Sequence, residues 1–512
     1  MLATAKSGSV IGVNAFLIEV EVDVSAGLPG FNIVGLPEGA VRESRERVRA
    51  AIKNCGYPFP TRKITVNLAP ADMKKEGTGL DLPIAAAILC AAGVIPQERL
   101  AAFAMLGELS LDGNIRPTRG ILPLSLAAGS WGLSGGLIVP EENAPEAAVV
   151  KETRVYPVKH LSGMAEFLLG NLAIAAVKVD HDSLFSSGGG CHDDFSDVIG
   201  QEHAKRALEV AAAGGHNVLM AGPPGSGKTM LARRLPSILP PLSFEEALET
   251  TAVYSVAGLM PPGRPLMLER PFCAPHHSIS DAGLIGGGAT PRPGQVSLAH
   301  NGVLFLDELP EFQKNVLESL RQPLEDGVVT IARVNMALTF PARVTLVAAQ
   351  NPCPCGHLGD ARKNCSCTPQ QIVRYKSRVS GPLLDRIDMH IDVPAVPYPE
   401  LSKSRQGDSS KIIRDRVVAA RNIQKVRFAG LPIHCNSQMS ARQMKSFCRL
   451  DGQCRDFIGG AIQKLGLSAR AYHRIVKIAR TIADLEGAAE VLISHMAEAV
   501  QYRGLDRNLT AR

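Results

Sequence analysis

One motif of eight residues constrains the fold of this chain more than any other stretch. It has the pattern G-x-x-x-x-G-K-[ST], in which glycines let backbone N–H groups converge on phosphate oxygens. Its members are Gly222, Pro223, Pro224, Gly225, Ser226, Gly227, Lys228 and Thr229. Apolar residues 217–221 before it predict a buried strand, and residues 230–235 after it begin a helix. This order predicts a nucleoside-triphosphate site in an α/β domain; the alternative is a glycine-rich turn without a ligand.

Residues in and before this loop have specific expected roles. Lys228 is expected to reach the β- and γ-phosphates, and the Thr229 hydroxyl to bind Mg²⁺. Upstream, Val198 and Ile199 are expected to pack against the adenine. The loop and these two apolar residues therefore predict ATP as a cofactor, with Mg²⁺ as the second.

Two further apolar stretches each end in polar residues. Residues 303–306 are followed by Asp307 and Glu308, and residues 346–350 by Asn351. Because ligands collect at the carboxyl ends of parallel strands, Asp307 is predicted to hold Mg²⁺ through water. Glu308 is predicted to orient or activate the water that attacks the γ-phosphate. Asn351 is predicted to hydrogen-bond the γ-phosphate or that water; the alternative is an asparagine that only ends a strand.

A short segment carries four cysteines with the spacing C-x-C-x₉-C-x-C. They are Cys353, Cys355, Cys365 and Cys367. Four thiolates can close a tetrahedral Zn²⁺ site, so a structural zinc that pins the loop after Asn351 is predicted. His357 is an alternative fourth ligand, and the competing interpretation is four reduced cysteines without metal.

Composition and charge limit the class of protein. The chain has 512 residues, 45% hydrophobic and 20% charged, which is ordinary for a globular protein of about three domains. The net charge of +6 permits a nucleic-acid partner without requiring one. We find no apolar run of roughly eighteen residues and no signal peptide, so no membrane span is expected. The 11 cysteines then favour a reducing compartment, and the predicted location is the cytoplasm.

Changes of pattern divide the chain into three predicted domains and a linker. The segments are 1–170 (α/β), 171–193 (linker), 194–393 (ATPase core) and 394–512 (helical). In the first domain, alternating apolar residues predict strands at 16–24 and 64–68. The helical period predicts helices at 38–55 and 81–92. Asp112-Gly113 predicts a hairpin.

The order of elements in residues 1–170 resembles the Lon-protease-like domain, a relative of the ribosomal S5 fold. In that comparison, residues 70–82 fall where Lon-type proteases carry their serine, and Asp81 takes its place. Residues 119–122 offer no lysine where the second catalytic residue is expected. A Ser–Lys dyad needs both groups, so a non-proteolytic module that binds a partner or DNA is predicted.

The ATPase motifs together resemble the AAA+ ATPases of the magnesium-chelatase and minichromosome-maintenance branch. Over nearly its whole length the chain resembles the magnesium-chelatase-like ComM/YifB family, with a C-terminal helical lid. The resemblance implies that Asn351 is sensor 1, Arg386 the arginine finger and Arg470 sensor 2. Arg378 and Arg474 are the respective alternatives. Because the finger reaches a neighbour's nucleotide, the resemblance also implies a homo-oligomeric ring, expected to be a hexamer.

Two segments between these motifs have roles that only the resemblance suggests. Residues 273–300 correspond to an insert that projects toward the central pore. Residues 326–341 correspond to the pre-sensor-1 hairpin, where Arg333 near the tip is expected to touch a DNA phosphate; the alternative is a surface arginine. The adjacent His276 and His277 are interpreted as structural and not as metal ligands.

The resemblance implies an ATP-driven DNA helicase that branch-migrates recombination intermediates during natural transformation. Single-stranded and branched DNA are the expected partners. The alternatives are a motor subunit of a magnesium chelatase and a protein-remodelling or adaptor ATPase. DNA stimulation of ATP hydrolysis distinguishes the first from the other two.

Overall fold

The computed structural model describes residues 1–75, 77–181, 184, 193–288, 291–333, 336–359, 363–396, 407–466 and 468–503; of Arg333, Met336 and Leu465 it describes the backbone only. A mixed α/β domain, a domain built on a parallel sheet and a group of C-terminal helices follow one another. The serine–glycine run of the predicted linker, 186–190, lies outside the described residues.

The first domain is a mixed sheet covered by helices. Its strands are β1 (Leu2–Ile11), β2 (Asn14–Ser25), β3 (Gly30–Val34), β4 (Lys63–Ala69), β5 (Phe103–Met105), β6 (Glu108–Leu109), β7 (Ile115–Arg116), β8 (Gly136–Pro140) and β9 (Val155–Val158). Its helices are α1 (Gly39–Asn54), α2 (Asp81–Ala91), α3 (Gln97–Ala101), α4 (Ile121–Ala128), α5 (Ala144–Ala147) and α6 (Leu161–Leu169). Seven strands form one sheet in the order β3-β4-β2-β1-β5-β8-β9, and β6 pairs with β7 as a hairpin.

Local sequence patterns account for these elements. In β2, Ile18 and Val20 lie in the core while Glu19 between them is exposed, as the alternation predicted. Helix α1 ends just before Gly56, whose φ of +79° favours glycine. The predicted turn at Asp112-Gly113 joins β6 to β7. The predicted strands, helices and hairpin of this domain are therefore confirmed.

The second domain is built on five parallel strands. Its strands are β10 (Val218–Ala221), β11 (Phe272–Cys273), β12 (Gly286–Gly287), β13 (Arg292–Pro293), β14 (Val303–Leu306), β15 (Val328–Arg333), β16 (Met336–Pro341), β17 (Thr345–Gln350) and β18 (Met389–Asp392). The main sheet has the order β11-β14-β17-β10-β18, and β15 pairs with β16 in the predicted hairpin. Parallel strands leave the sheet at one edge, so the polar residues that follow β10, β14 and β17 meet there.

Helices cover both faces of this sheet, which explains its continuous apolar strands. They are α7 (Glu202–Gly214), α8 (Lys228–Ile238), α9 (Phe244–Ala257), α10 (Asp281–Leu284), α11 (Gln295–Leu298), α12 (Lys314–Ser319), α13 (Arg321–Asp326), α14 (Pro369–Lys376) and α15 (Gly381–Leu384). On one face, Val218, Met220 and Phe305 pack with α7 and α8. On the other face, Leu219 and Leu304 pack with α9, α12 and the β15–β16 hairpin.

The C-terminal helices join the first of these faces. They are α16 (Ser410–Arg427), α17 (Ala441–Phe447), α18 (Gly452–Leu465), α19 (Ala469–Leu485) and α20 (Ile493–Gln501). Short 3-10 turns occur at Glu141–Asn143, Phe195–Asp197, Leu309–Glu311 and Asn436–Gln438. Ile475 and Ile482 of α19 and Val417 of α16 share one core with α7 and α8. An ion pair between Arg427 and the buried Asp484, 2.7 Å between Nη1 and Oδ2, connects α16 to α19.

The first domain packs against helix α9 of the second domain. The Gly120 N–H donates to the Ser255 carbonyl over 3.0 Å. Leu122 and Val149 on one side form a small apolar cluster with Ala247 and Ala252 on α9. These contacts attach the first domain to the second domain through the start of α4.

The predicted fold class is confirmed, with an α/β first domain, a parallel-sheet domain and a helical C-terminal region. The predicted domain boundaries remain predictions. Within the described ranges, we find no helix with both the length and the apolar character needed to cross a bilayer.

Candidate nucleotide site

The phosphate loop connects β10 to α8 at the carboxyl edge of the sheet. The Gly222 N–H donates to the Gln350 carbonyl of the neighbouring β17 over 3.2 Å, which fixes the start of the loop. Gly225 and Gly227 have φ values of +74° and +92°, which only glycine adopts without strain. Helix α8 begins at Lys228, so its N-terminus points toward the loop.

The Lys228 side chain is held inside the loop. Its ammonium group donates to the carbonyls of Gly222 and Pro223 over 2.7 and 2.9 Å, and to Asn351 Oδ1 over 3.3 Å. Burial lowers the pKa of Lys228, and the nearby carboxylates of Asp307 and Glu308 act in the opposite direction. The predicted sensor asparagine and the predicted phosphate-binding lysine therefore share one site.

The predicted magnesium ligands also meet. Thr229 Oγ1 donates to Asp307 Oδ2 over 2.8 Å, and Asp307 Oδ1 accepts the Glu308 N–H over 2.9 Å. Glu308 has a φ of +51°, a conformation that costs energy for a non-glycine residue and that clusters at functional sites. Its side chain is 54% exposed, so water has access to the carboxylate.

The donor set fits ATP and Mg²⁺. A hydroxyl and a carboxylate are the oxygen ligands that Mg²⁺ prefers, and Thr229 and Asp307 would hold it. The buried hydroxyl of Ser226 in the loop has no hydrogen-bond partner among the described residues. An anion with several acceptor oxygens supplies the partner that this hydroxyl lacks.

Sequence reasoning missed the contact between His277 and Glu308. His277 Nδ1 lies 3.4 Å from Glu308 Oε2, and its ring is 4.0 Å from the His276 ring and 6.4 Å from that of Phe312, measured between centroids. From the sequence alone, this pair of histidines is predicted to be structural. Its position shortly after β11, at the carboxyl edge of the sheet, is the signal that places it beside Glu308.

The two residues predicted to pack against the adenine differ in their exposure to solvent. Val198 is 4% exposed and belongs to the core, whereas Ile199 is 36% exposed. Gln201, another residue that sequence reasoning missed, donates from Nε2 to the Ser226 carbonyl over 3.2 Å and has a φ of +58°. The segment 198–201 therefore contacts the phosphate loop through Gln201.

The two predicted arginines lie at the opposite edge of the sheet. Arg386 and Arg470 line a cavity of about 610 Å³ together with Asn217, Gly302 and Thr345, which stand at the amino ends of β10, β14 and β17. Strands of four to six residues at about 3.3 Å per residue put this edge about 13–20 Å from the phosphate loop. Arg470, the predicted sensor 2, therefore does not lie beside Lys228 of its own subunit.

The two candidates for sensor 2, Arg470 and Arg474, both line this cavity but differ in their contacts. Arg474 forms an ion pair with buried Asp388, which also lies 3.4 Å from His216 Nδ1. Burial opposes ionisation of Asp388, but Arg474 and His216 hold its pKa well below the usual range. Arg474 therefore holds the fold together, whereas Arg470 is exposed on the cavity wall.

The two candidates for the arginine finger, Arg386 and Arg378, also differ in their contacts. Arg386 is 7% exposed, forms a 2.6 Å ion pair with Glu325, and keeps its Nε without a partner in the described part of the chain. Arg378 instead pairs with Glu311 over 2.6 Å, just after Glu308. Arg378 therefore lies at the phosphate-loop edge and Arg386 at the opposite one.

Three other predictions have different outcomes. The sulfur atoms of Cys353, Cys355, Cys365 and Cys367 lie within 4.8 Å of one another; His357 is not part of this group. Arg333 ends β15, but its side chain lies outside the described residues, so contact with DNA stays a prediction.

Asp81 is fully buried and accepts hydrogen bonds from Ser44, Arg47 and the Leu109 N–H. It is a structural residue at the start of α2 and is not available as a nucleophile.

Comparison with protein families covers most of the chain. Residues 194–401 match the family described as magnesium chelatase, subunit ChlI; residues 20–143 match subunit ChlI of Mg-chelatase; and residues 407–503 match the C-terminal part of subunit ChlI. The competence protein ComM of Haemophilus influenzae is 45% identical, covering 99% of this chain and 98% of that protein. YifB of Escherichia coli is 44% identical with the same coverage. Lon protease 2 of Bacillus subtilis is 32% identical over 149 residues, 26% of each chain.

The parallel sheet, the phosphate loop and the Asp-Glu pair define the second domain as a magnesium-chelatase-type AAA+ domain. The chain belongs to the magnesium-chelatase-like ComM/YifB family. The likeness of the first domain to Lon is confirmed.

Proposed function

We propose that the protein is a Mg²⁺-dependent ATPase motor that acts as a ring and drives the branch migration of DNA. One observation carries the ring: the phosphate loop and the arginine cavity occupy opposite edges of one sheet. In a head-to-tail ring, the carboxyl edge of one subunit faces the amino edge of the next. Arg386 and Arg470 of one subunit then complete the site around Lys228 of its neighbour. A closed ring of six such subunits is the expected assembly.

The residues of the site divide the chemistry among them. Glu308 orients a water molecule and accepts its proton as the water oxygen attacks the γ-phosphorus and the bond to the ADP oxygen breaks. Lys228 stabilises the negative charge on the transferring group, and the neighbour's arginines add to this. Thr229 and Asp307 would hold Mg²⁺, which would supply positive charge against the phosphates. Asn351 and His277 position Lys228 and Glu308 respectively.

Two observations support DNA as the substrate: the positive net charge of the chain and its similarity to a competence protein. The chain carries a net charge of +6, and a phosphate backbone attracts basic surfaces. Its relative is called a competence protein, which supports a role in recombination of incoming DNA during natural transformation. Arg333 at the end of β15 is a candidate phosphate contact in the pore.

ATP hydrolysis by the full chain, with and without single-stranded or four-way-junction DNA, tests this function. We expect branched DNA to stimulate hydrolysis and ATP to drive separation of a labelled junction. The Lys228→Ala variant is the control and should do neither. Stimulation should weaken steeply as salt rises, because phosphate contacts release counterions. Full ATPase activity that ignores DNA and leaves the junction intact would refute the helicase function.

The family matches favour one alternative. All three matched segments carry descriptions of magnesium chelatase subunit ChlI, so a motor that remodels a metal-inserting or other protein partner is the second candidate. ATP hydrolysis that responds to a protein partner and not to DNA would select it.

A further inference from the structure

We propose that Cys353, Cys355, Cys365 and Cys367 bind one Zn²⁺ ion, and that this ion clamps the cysteine loop onto the phosphate loop. The cysteine loop is defined as residues 353–359 and 363–367. The metal site depends only on the cysteines. Its effect on nucleotide binding rests on the function proposed above.

The sulfur positions suit a single ion. Zn–S bonds of about 2.3 Å in a tetrahedron separate the sulfur atoms by about 3.8 Å. The Sγ atom of Cys353 lies 3.4 Å from that of Cys355 and 3.6 Å from that of Cys365, and Cys355 and Cys365 are also 3.6 Å apart. Cys367 completes the group, within 4.8 Å of the others. A disulfide requires about 2.0 Å, so these are not bonded pairs.

Apolar packing does not explain the cluster. Cys353 is buried, but Cys355, Cys365 and Cys367 are only half-buried. The Cys355 N–H donates to Cys367 Sγ over 3.4 Å. Four soft sulfur ligands favour zinc over magnesium or calcium, and four ligands close a structural site.

The cysteine loop lies directly on the phosphate loop. A Cβ atom at Gly356 would lie 2.5 Å from Pro224 Cδ, and Gly356 has a φ of +82°. Cys353 follows Asn351, which accepts the Lys228 hydrogen bond. The backbone of the cysteine loop therefore supports the nucleotide site at Pro224 and at Asn351.

The far end of the cysteine loop is anchored at the same place. Helix α14 begins just after Cys367, with Thr368 as its N-cap. Burial raises the pKa of its Tyr375 hydroxyl to about 12, and the nearby backbone of Asn351 acts in the opposite direction. Arg378 beyond the helix pairs with Glu311. A metal that joins Cys353 to Cys367 thus closes a loop whose two ends both lead to the neighbourhood of the sensor asparagine.

The first test is the metal content of the full chain, purified without chelator and measured by inductively coupled plasma mass spectrometry. We expect about one zinc per chain and no stoichiometric iron or copper. The Cys365→Ser variant should lose most of the zinc, whereas Cys55→Ser, a half-buried cysteine of the first domain, should keep it. If Cys365→Ser does not fold, release of zinc from the unmodified protein, titrated with a mercurial and read with a chromogenic chelator, replaces it. Protein without zinc, both as purified and after incubation with zinc and reductant, would overturn the metal site, as would stoichiometric iron or copper.

The second test separates the clamp from the metal. Affinity for a fluorescent ATP analogue should fall about tenfold in Gly356→Ala while zinc content stays unchanged, because the added Cβ pushes the loops apart. Zinc-depleted protein should show a similar loss, restored by zinc. Unchanged affinity in both would overturn the clamp and leave the metal site standing. Zinc-loaded, unmodified protein that binds no nucleotide would refute the proposed function instead.

Discussion

His277 Nδ1 lies 3.4 Å from Glu308 Oε2, so the carboxylate proposed to orient the attacking water is held by a residue from the segment after β11. Glu308 also has a left-handed backbone conformation and a half-exposed side chain. A carboxylate with this much access to solvent needs a partner to fix its direction. His277 supplies that partner from within the predicted pore insert, residues 273–300.

Removal of this partner should slow hydrolysis without weakening ATP binding. For His277→Ala we expect kcat to fall about tenfold and KM to change little, because the base loses its orientation and not its charge. His277→Gln, which retains a donor, should recover part of the rate. Steady-state phosphate release measures both, and His276→Ala is the matched control. An unchanged kcat in His277→Ala would contradict the positioning role.

Loss of the Glu308 charge should separate binding from chemistry. Glu308→Gln keeps the shape of the side chain but cannot accept a proton, so hydrolysis should fall by about 10²–10⁴ while ATP binding is retained. Trapped nucleotide, measured on the isolated protein by chromatography, should be ATP and not ADP. Rapid hydrolysis by this variant would refute the assignment of Glu308.

Mixtures of inactive variants test whether the site forms between subunits. Lys228→Ala lacks a working phosphate loop but keeps both arginines, and Arg470→Ala has the opposite defect. Each alone should hydrolyse ATP slowly, and mixed rings should regain activity at the interfaces that combine the intact edges. A mixture of Arg386→Ala and Arg470→Ala is the control and should stay inactive, because both substitutions damage the same edge. Absence of recovery in the first mixture would contradict a shared site.

Arg474→Ala should destabilise the protein, whereas Arg470→Ala should not. Removal of Arg474 leaves the buried Asp388 carboxylate without its cationic partner, which costs about 3–5 kcal/mol in comparable pairs. The pKa of Asp388 is lowered in the folded state. Its contribution is therefore complete above the unfolded-state pKa of about 3.9 and is lost as the pH falls below that value. Chemical denaturation should show a large difference from the parent protein at pH 7 that shrinks in acid; a constant difference would contradict this account.

The chemistry near the phosphate loop was predictable because each motif is local. Lys228, Asp307 and Asn351 each follow or begin a regular element, and parallel strands bring such ends together without further information. The position of Arg470 was not predictable in this way, because it depends on the face of the sheet that α19 covers. His277 and Gln201 were missed since their roles come from irregular segments whose path only the tertiary structure fixes. The burial of Asp81 likewise depends on Arg47 from another helix.

The opposite placement of the phosphate loop and the arginine cavity has a consequence for symmetry. A twofold dimer pairs a surface with itself, so it would set phosphate loop against phosphate loop and complete no site. Only a heterologous contact, repeated from subunit to subunit in one direction, joins the two edges. Such a contact closes into a ring at one rotation angle and continues as an open helix at any other. The rotation between neighbours, and not a matched pair of surfaces, therefore decides how many active sites one assembly holds.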